Sequence, residues 1–473
     1  MNISDLTLRR LIAALTAGIL ILAAASCGSR QAQKPHKASA RAAVAHPLPD
    51  TLRVATLYSP GSYFIYRDTK MGYDYDLVSR LASDKGMVLK LEVAPTMADA
   101  IALLDSGRVD LLATEVPVTA EYRARVLPCG PENVTTQVLV QPKVGRGGSG
   151  LITDVTQLAG KTVTVERDSR YYHRLVNLNN EIGGGIVIRQ LDSDSIITED
   201  FLELVSRDSI GLTIVDSDIA QLNKTYYPNL DASLEVSFPQ RSKWAVAKNA
   251  RWLADSIDAW LGQEAPRREH ADIRRRYFEM SKAAPSFDIS FASGHASPFD
   301  HIFKRHAPEV GWDWRLLAAI GYVESQFDAS QTSWAGAVGL MQIMPSTGRA
   351  FGVSPDELRS NETSVAVAVK IIRELDRLFK PRVKDPRERL KFILAAYNAG
   401  QAHILDAMAL ARKQGLKDNV WDANVAEMVL LKSNPNYYND PVVSSGYSRG
   451  RQTFEYVNQV MDFYNKCIKH IKK

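Results

Sequence analysis

Leu104-Asp105-Ser106-Gly107-Arg108-Val109-Asp110-Leu111 marks a switch between two kinds of structure. Met97–Ser106 carries a helical pattern that Gly107 closes, and the apolar run from Val109 to Val116 reads as a strand. Upstream, Leu52–Leu57 and Val88–Val93 read as two more strands. Tyr75–Lys85 lies between them, with apolar residues at 77, 78, 81 and 82 and a stop at Gly86. Strand, helix, strand, helix, strand at this spacing predicts a parallel sheet with right-handed crossovers. Ligands of such sheets bind beyond the carboxyl ends of the strands.

The alternation resumes at Leu158–Val165 and Ile210–Asp216, then gives way to a breaker-rich stretch at 283–298. Past that stretch strand patterns vanish and helical stripes such as Ala366–Phe379 dominate. The chain has 473 residues, 45% hydrophobic and 23% charged, which excludes collagen-like, wholly disordered and multi-span membrane classes. Its three cysteines are too few for a disulfide scaffold or a multi-cysteine zinc site, and Cys129 and Cys467 read as unrelated buried thiols. His301 and His306 are five apart and miss the one-face spacing of helical zinc ligands, so neither metal nor cofactor is expected. Residues 299–473 hold 24 Lys and Arg against 19 Asp and Glu. A mild basic excess suits an anionic polymer, and the scattered bases argue against nucleic acid.

Residues 1–26 read as a secretory signal: Arg9 and Arg10, then an apolar stretch from Leu11 to Ala25 that is short for a membrane span. It ends Ala24-Ala25-Ser26-Cys27, which resembles the bacterial lipobox. That resemblance implies lipidation at Cys27 and a lipid anchor, with the protein on the outer membrane facing the periplasm. Residues 27–50 lack the apolar content to fold and read as a tether.

Two further resemblances organise the rest. Gly72-Tyr73-Asp74-Tyr75-Asp76-Leu77, Leu104–Leu111 and Val118-Thr119-Ala120-Glu121-Tyr122-Arg123 are similar to the family 3 extracellular solute-binding proteins. The similarity spans 51–282 and implies a two-lobed periplasmic-binding-protein fold, with lobe I at 51–138 and 235–282 and lobe II at 139–234. It implies a cleft for an amino acid or a muropeptide, with Glu115, Arg123 and Asp216 as candidate ligand contacts. Tyr122 stands where the family has its arginine, and Glu115 where a small hydroxyl residue is usual. A longer or peptide-like ligand fits those departures as well as a free amino acid does.

In the helical part, Leu316–Ser325 is a nearly all-apolar helix ending in one carboxylate, Glu324, which hydrocarbon surroundings would keep protonated. Gly336–Pro345 and Ala395-Ala396-Tyr397-Asn398-Ala399-Gly400 follow, supplying close backbone approach and amide side chains suited to sugars. Together these segments resemble the soluble lytic transglycosylases, which share a mainly α, lysozyme-like fold; here that domain would be 299–473. The resemblance implies peptidoglycan glycan strands as substrate and Glu324 as the sole catalytic acid and base. It implies sugar-binding roles for Ser325, Met341, Gln342, Tyr397, Asn398 and, through Thr453-Phe454-Glu455-Tyr456-Val457, Tyr456. A hydrolase would need a second carboxylate, for which Asp328 is the nearest candidate. A muramidase-type hydrolase, or a wall-anchored receptor without turnover, stays open at this point.

Overall fold

The computed structural model describes residues 48–143, 150–167, 169–191, 198–282 and 294–471. The signal segment, Cys27 and most of the tether and of the stretch 283–298 lie outside the described residues. Strands β1 (Thr51–Leu57), β4 (Val88–Ala94) and β5 (Leu111–Pro117) pair in parallel, in the order β4-β1-β5. Helices Tyr73–Asp84 and Met97–Asp105 make the crossovers. Two antiparallel strands, β12 (Gln240–Ala247) and β6 (Val126–Thr135), complete that five-stranded sheet. The chain thus leaves the sheet after β6 and returns to it through β12. In between it builds a second body around β7 (Gln137–Pro142), β10 (Thr213–Asp216) and β11 (Leu230–Glu235), beside the parallel pair β8 (Thr162–Glu166) and β9 (Val187–Leu191). This is the two-lobed α/β arrangement expected from the sequence.

The motif acids of the first lobe are structural. Asp74 is buried and accepts a hydrogen bond from Trp244 Nε1 at 2.8 Å; Asp76 accepts from Tyr277 Oη at 2.6 Å. Cys129 and Cys467 are buried free thiols, each pushed up to about 12 chiefly by burial.

A small antiparallel hairpin, β2 (Phe64–Tyr66) and β3 (Thr69–Met71), projects from the first lobe. Its two-residue loop, Arg67-Asp68, has positive φ at both positions (49° and 56°), the geometry of the tightest hairpin turns. Aspartate tolerates that region; for arginine it costs about 1 kcal/mol, so something outside the hairpin must hold it there.

Beyond residue 294 the described fold is helical. Helix Trp314–Ser325 is buried along nearly its whole length and packs against the C-terminal helix Gly450–His470, where Tyr322 and Phe463 stack at 4.3 Å. Asp313 caps its start, and Gln326, at φ 52°, ends it. Helix Pro386–Ala399 buries Phe392 to Ala399 and stops at Gly400, whose φ of 101° favours glycine.

A buried ion pair fixes the approach to the C-terminal helix. Lys432 Nζ lies 2.7 Å from Asp406 Oδ2, with side chains 1% and 4% exposed, and Asp406 also accepts from the Ser444 and Ser445 amides. The ammonium and these donors hold the Asp406 carboxyl below its ordinary value. Replacing Lys432 by Met strands that carboxylate, and about 3–5 kcal/mol of stability should be lost, read by denaturant unfolding. Because the folded carboxyl is depressed, its contribution is present above the unfolded value near 4 and disappears as pH falls through the folded one.

Candidate active site

Helix Trp314–Ser325 delivers Glu324 to the centre of the helical domain, its side chain 4% exposed. Ser325 ties the helix end to the glycine-rich turn: its Oγ donates to Leu340 O at 2.8 Å or Gly321 O at 3.1 Å. In that turn Gly339 (φ 77°) has no room for a side chain, since a Cβ would stand 2.4 Å from Leu358 O. Met341 is fully buried, and its amide donates to Ser364 Oγ at 3.1 Å. Gln342 adopts φ 47° and folds its amide back onto Gly339 O at 2.9 Å. Tyr397 Oη donates to Met341 O at 2.9 Å, and Asn398 Oδ1 accepts from Thr453 Oγ1 at 3.0 Å. The motif residues therefore converge on one place, but the side chains of Ser325, Gln342 and Tyr397 bond to backbone oxygens of the helix, the glycine-rich turn and the loop between them. They build the floor and walls around Glu324. Tyr456 from the C-terminal helix is buried beside the carboxylate, its hydroxyl close enough to stabilise it yet short of a hydrogen bond with any described group.

Burial raises the Glu324 carboxyl above the usual glutamate value; Arg67 and Tyr456 oppose that shift, and among the described residues no other carboxylate contributes to it. Asp328 is exposed, its Oδ1 accepting from Ser330 N at 2.9 Å and Ser330 Oγ at 2.6 Å, and this turn holds it below its ordinary value. It caps a turn and makes no contact with Glu324.

The unforeseen residue is Arg67. The tip of the β2–β3 hairpin enters the site, and Arg67 Nη2 lies 2.8 and 3.0 Å from the two Glu324 oxygens. Nη1 donates to Gln342 O and Nε to Asn398 O at 3.2 Å, while the Arg67 amide donates to Ala399 O at 2.9 Å. Asp68 seats against Gly400, where a Cβ would meet it at 2.8 Å, and accepts from the Gln401 and Ala402 amides. His403, pushed down to about 4 chiefly by burial, is neutral and donates from Nε2 to Ile65 O at 2.9 Å. The motifs thus offer a carboxylate, backbone oxygens and a gap at Gly400 that the hairpin fills. The space left beside the guanidinium is a cleft of about 70 Å³ bounded by Asp68, Gln342, Thr347, Tyr397 and Gly400. Nothing in Tyr66-Arg67-Asp68-Thr69 sets it apart from any surface hairpin; the contact spans 257 residues of sequence.

In the N-terminal domain, Glu115 and Asp216 come together electrostatically. Glu115 is open to solvent, yet crowding by the surrounding protein, then Asp218 and Asp74, push its carboxyl up to about 8; burial pushes Asp216 up to about 6 against the pull of its ion-pair partner Arg170. Arg123 is exposed on helix Ala120–Arg125, and none of the described contacts joins it to this group. Arg170, unmarked by sequence reasoning, is the cation that meets Asp216. A separate cleft of about 360 Å³ lies between the lobes and the helical domain, lined by Tyr58, Glu166, Glu199, Asn434, Tyr438 and Tyr447.

A buried glutamate with no carboxylate partner among the described residues, framed by these motifs and joined to a two-lobed binding fold, defines a peptidoglycan lytic transglycosylase fused to a solute-binding domain. Residues 52–280 match the bacterial extracellular solute-binding proteins of family 3, and residues 301–420 match the transglycosylase SLT domain. The chain is 30% identical over 419 residues to the membrane-bound lytic murein transglycosylase F of Desulfosudis oleivorans, covering 87% of this chain and 88% of that protein. It is 31% identical over 423 residues to the protein of that name from Stutzerimonas stutzeri, covering 88% and 84%. The chain belongs to the membrane-bound lytic murein transglycosylase F family. Among solved structures, substrate-binding domain 2 of Lactococcus lactis GlnP overlays with a TM-score of 0.42 at 17% identity, over 50% of this chain and 97% of that one.

Proposed function

We propose that Glu324, acting alone, cleaves the bond between N-acetylmuramic acid and N-acetylglucosamine without water, and that the N-terminal domain controls it through Arg67. The protonated Glu324 gives its proton to the glycosidic oxygen as that bond breaks. The substrate's acetamido oxygen stabilises the cation at C1. Glu324, now a carboxylate, takes the proton from the C6 hydroxyl, whose oxygen closes on C1 to leave a 1,6-anhydro ring. Among the described residues the charged group paired with Glu324 is Arg67, and Asp328 is engaged by Ser330; this carries the reading, because the usual two-carboxylate hydrolase places a second acid across the scissile bond. Borohydride treatment of the products tests it: anhydro ends resist reduction, whereas the reducing ends of a muramidase are converted quantitatively.

The Arg67 contact supports self-inhibition. A guanidinium on both carboxylate oxygens favours the ionised form and occupies the position a glycosidic oxygen must take. Withdrawing it removes the main pull against burial, so the carboxyl should rise further toward the protonated form that the first step needs. The other lobe holds the opposite wall: Arg451 meets Glu203 at 2.9 Å, Arg207 pairs with Glu455, and Arg449 Nη2 donates to Asn223 Oδ1 at 2.8 Å. These contacts grip the start of the helix that carries Thr453 and Tyr456. Relative movement of the lobes would therefore act on the site from both sides. An amino acid or muropeptide bound between them is the proposed trigger, its ammonium group favouring ionisation of the raised carboxyls of Glu115 and Asp216. We further assign Cys27 as the lipidated residue of an outer-membrane anchor; among the described residues no helix is long and apolar enough to cross a membrane.

Saturating muropeptide should raise the rate of sacculus solubilisation by the full chain several-fold. An unchanged rate across amino acids and muropeptides would remove the trigger from this reading.

A further inference from the structure

Where the first lobe, the second lobe and the helical domain meet, behind the hairpin, there is a third cavity, to which none of these roles assigns a ligand. It measures about 40 Å³, room for roughly three water molecules. Its walls are mostly aromatic, with Tyr226, Tyr277, Trp334 and Tyr447 contributing rings, and two cations enter it, Lys282 and Arg449. Arg449 Cζ stacks 3.7 Å from the centre of the Tyr226 ring, and Lys282 Nζ lies 5.5 Å from the same ring and 4.7 Å from that of Trp334. Among the described residues no carboxylate comes within ion-pair distance of either. Glu199 acts on Arg449 only at longer range.

Holding two like charges around one ring, each partly withdrawn from water, costs free energy that the ring faces offset only in part. The donors are also incompletely used. Arg449 Nη2 donates to Asn223, but Nη1 is buried without a hydrogen-bond partner. Lys282 Nζ donates to Tyr277 O, which leaves further N–H groups on the ammonium. We propose that this cavity binds a small monocarboxylate, its two oxygens accepting from Arg449 Nη1 and Lys282 Nζ and its apolar part lying against the aromatic walls. Two free donors match two oxygens, whereas the four oxygens of phosphate or sulfate would be left facing hydrocarbon and rings. Burial and the neighbouring guanidinium push Lys282 down to about 7, the strain an anion between them relieves. The site is independent of the catalytic assignment, since none of its donors touches Glu324.

Acetate is the probe. Titrated into the full chain at constant ionic strength against chloride, it should bind saturably by calorimetry and raise the melting temperature. Lys282→Met and Arg449→Gln should each weaken it at least tenfold. Should Arg449→Gln fail to fold by circular dichroism, Lys282→Met decides alone, because the ammonium contacts only a carbonyl and ring faces. Three results would each overturn the proposal: acetate no better than chloride, sulfate or phosphate binding as tightly as acetate, or wild-type affinity in a folded Lys282→Met variant.

Discussion

Glu324→Gln should lower sacculus cleavage by about 10³-fold or more, because the amide can neither give nor take the proton and no second acid stands by to replace it. The same change tests the hairpin. A neutral amide at this position would leave the Arg67 guanidinium, 10% exposed, without its counter-charge, at a cost of up to about 3–5 kcal/mol if it stayed docked. The hairpin can undock into water instead, so the variant should remain folded while becoming more susceptible to protease near residues 64–71. Full activity in this variant would end the catalytic assignment.

Arg67→Gln should act in the opposite direction. The variant keeps the turn but loses the charge on Glu324, and docking should weaken enough to raise basal turnover on the order of 10-fold to 100-fold without added ligand. Its pH profile carries a second signature. With the guanidinium gone, the main influence opposing burial at Glu324 is lost, so its carboxyl should rise further and the alkaline limb of the rate profile should move upward. A purely structural role for Arg67 would lower stability and rate together and leave that limb in place. Equal or lower turnover in a folded Arg67→Gln enzyme would contradict self-inhibition.

Much of the fold was legible because local chemistry states it. Gly86 and Gly107 end helices whose apolar stripes are plain, and the strands that follow lie within two residues of where the apolar runs put them. At the site, Glu324, Gln342, Tyr397, Asn398 and Tyr456 lie close together in space. Their bonding was not legible. Gln342 reads as a sugar-binding amide, yet a positive φ turns it back on its own turn, a conformation that no residue-type preference announces. Arg123 reads as a ligand contact from its motif, but the helix Ala120–Arg125 leaves it exposed while Arg170, on a different lobe, reaches Asp216. Arg67 was invisible for a different reason. A hairpin tip gains its meaning only from what lies opposite, and here that partner is fixed by the packing of two domains rather than by any pattern within either.

The most direct measurement is digestion of purified sacculi by the full chain in ¹⁸O-enriched water, with mass spectrometry of the released fragments. A lone glutamate that closes the ring through C6 leaves anhydro ends carrying no label. Reducing ends with one ¹⁸O at C1 would mean that water attacks, and that another group in this site activates it.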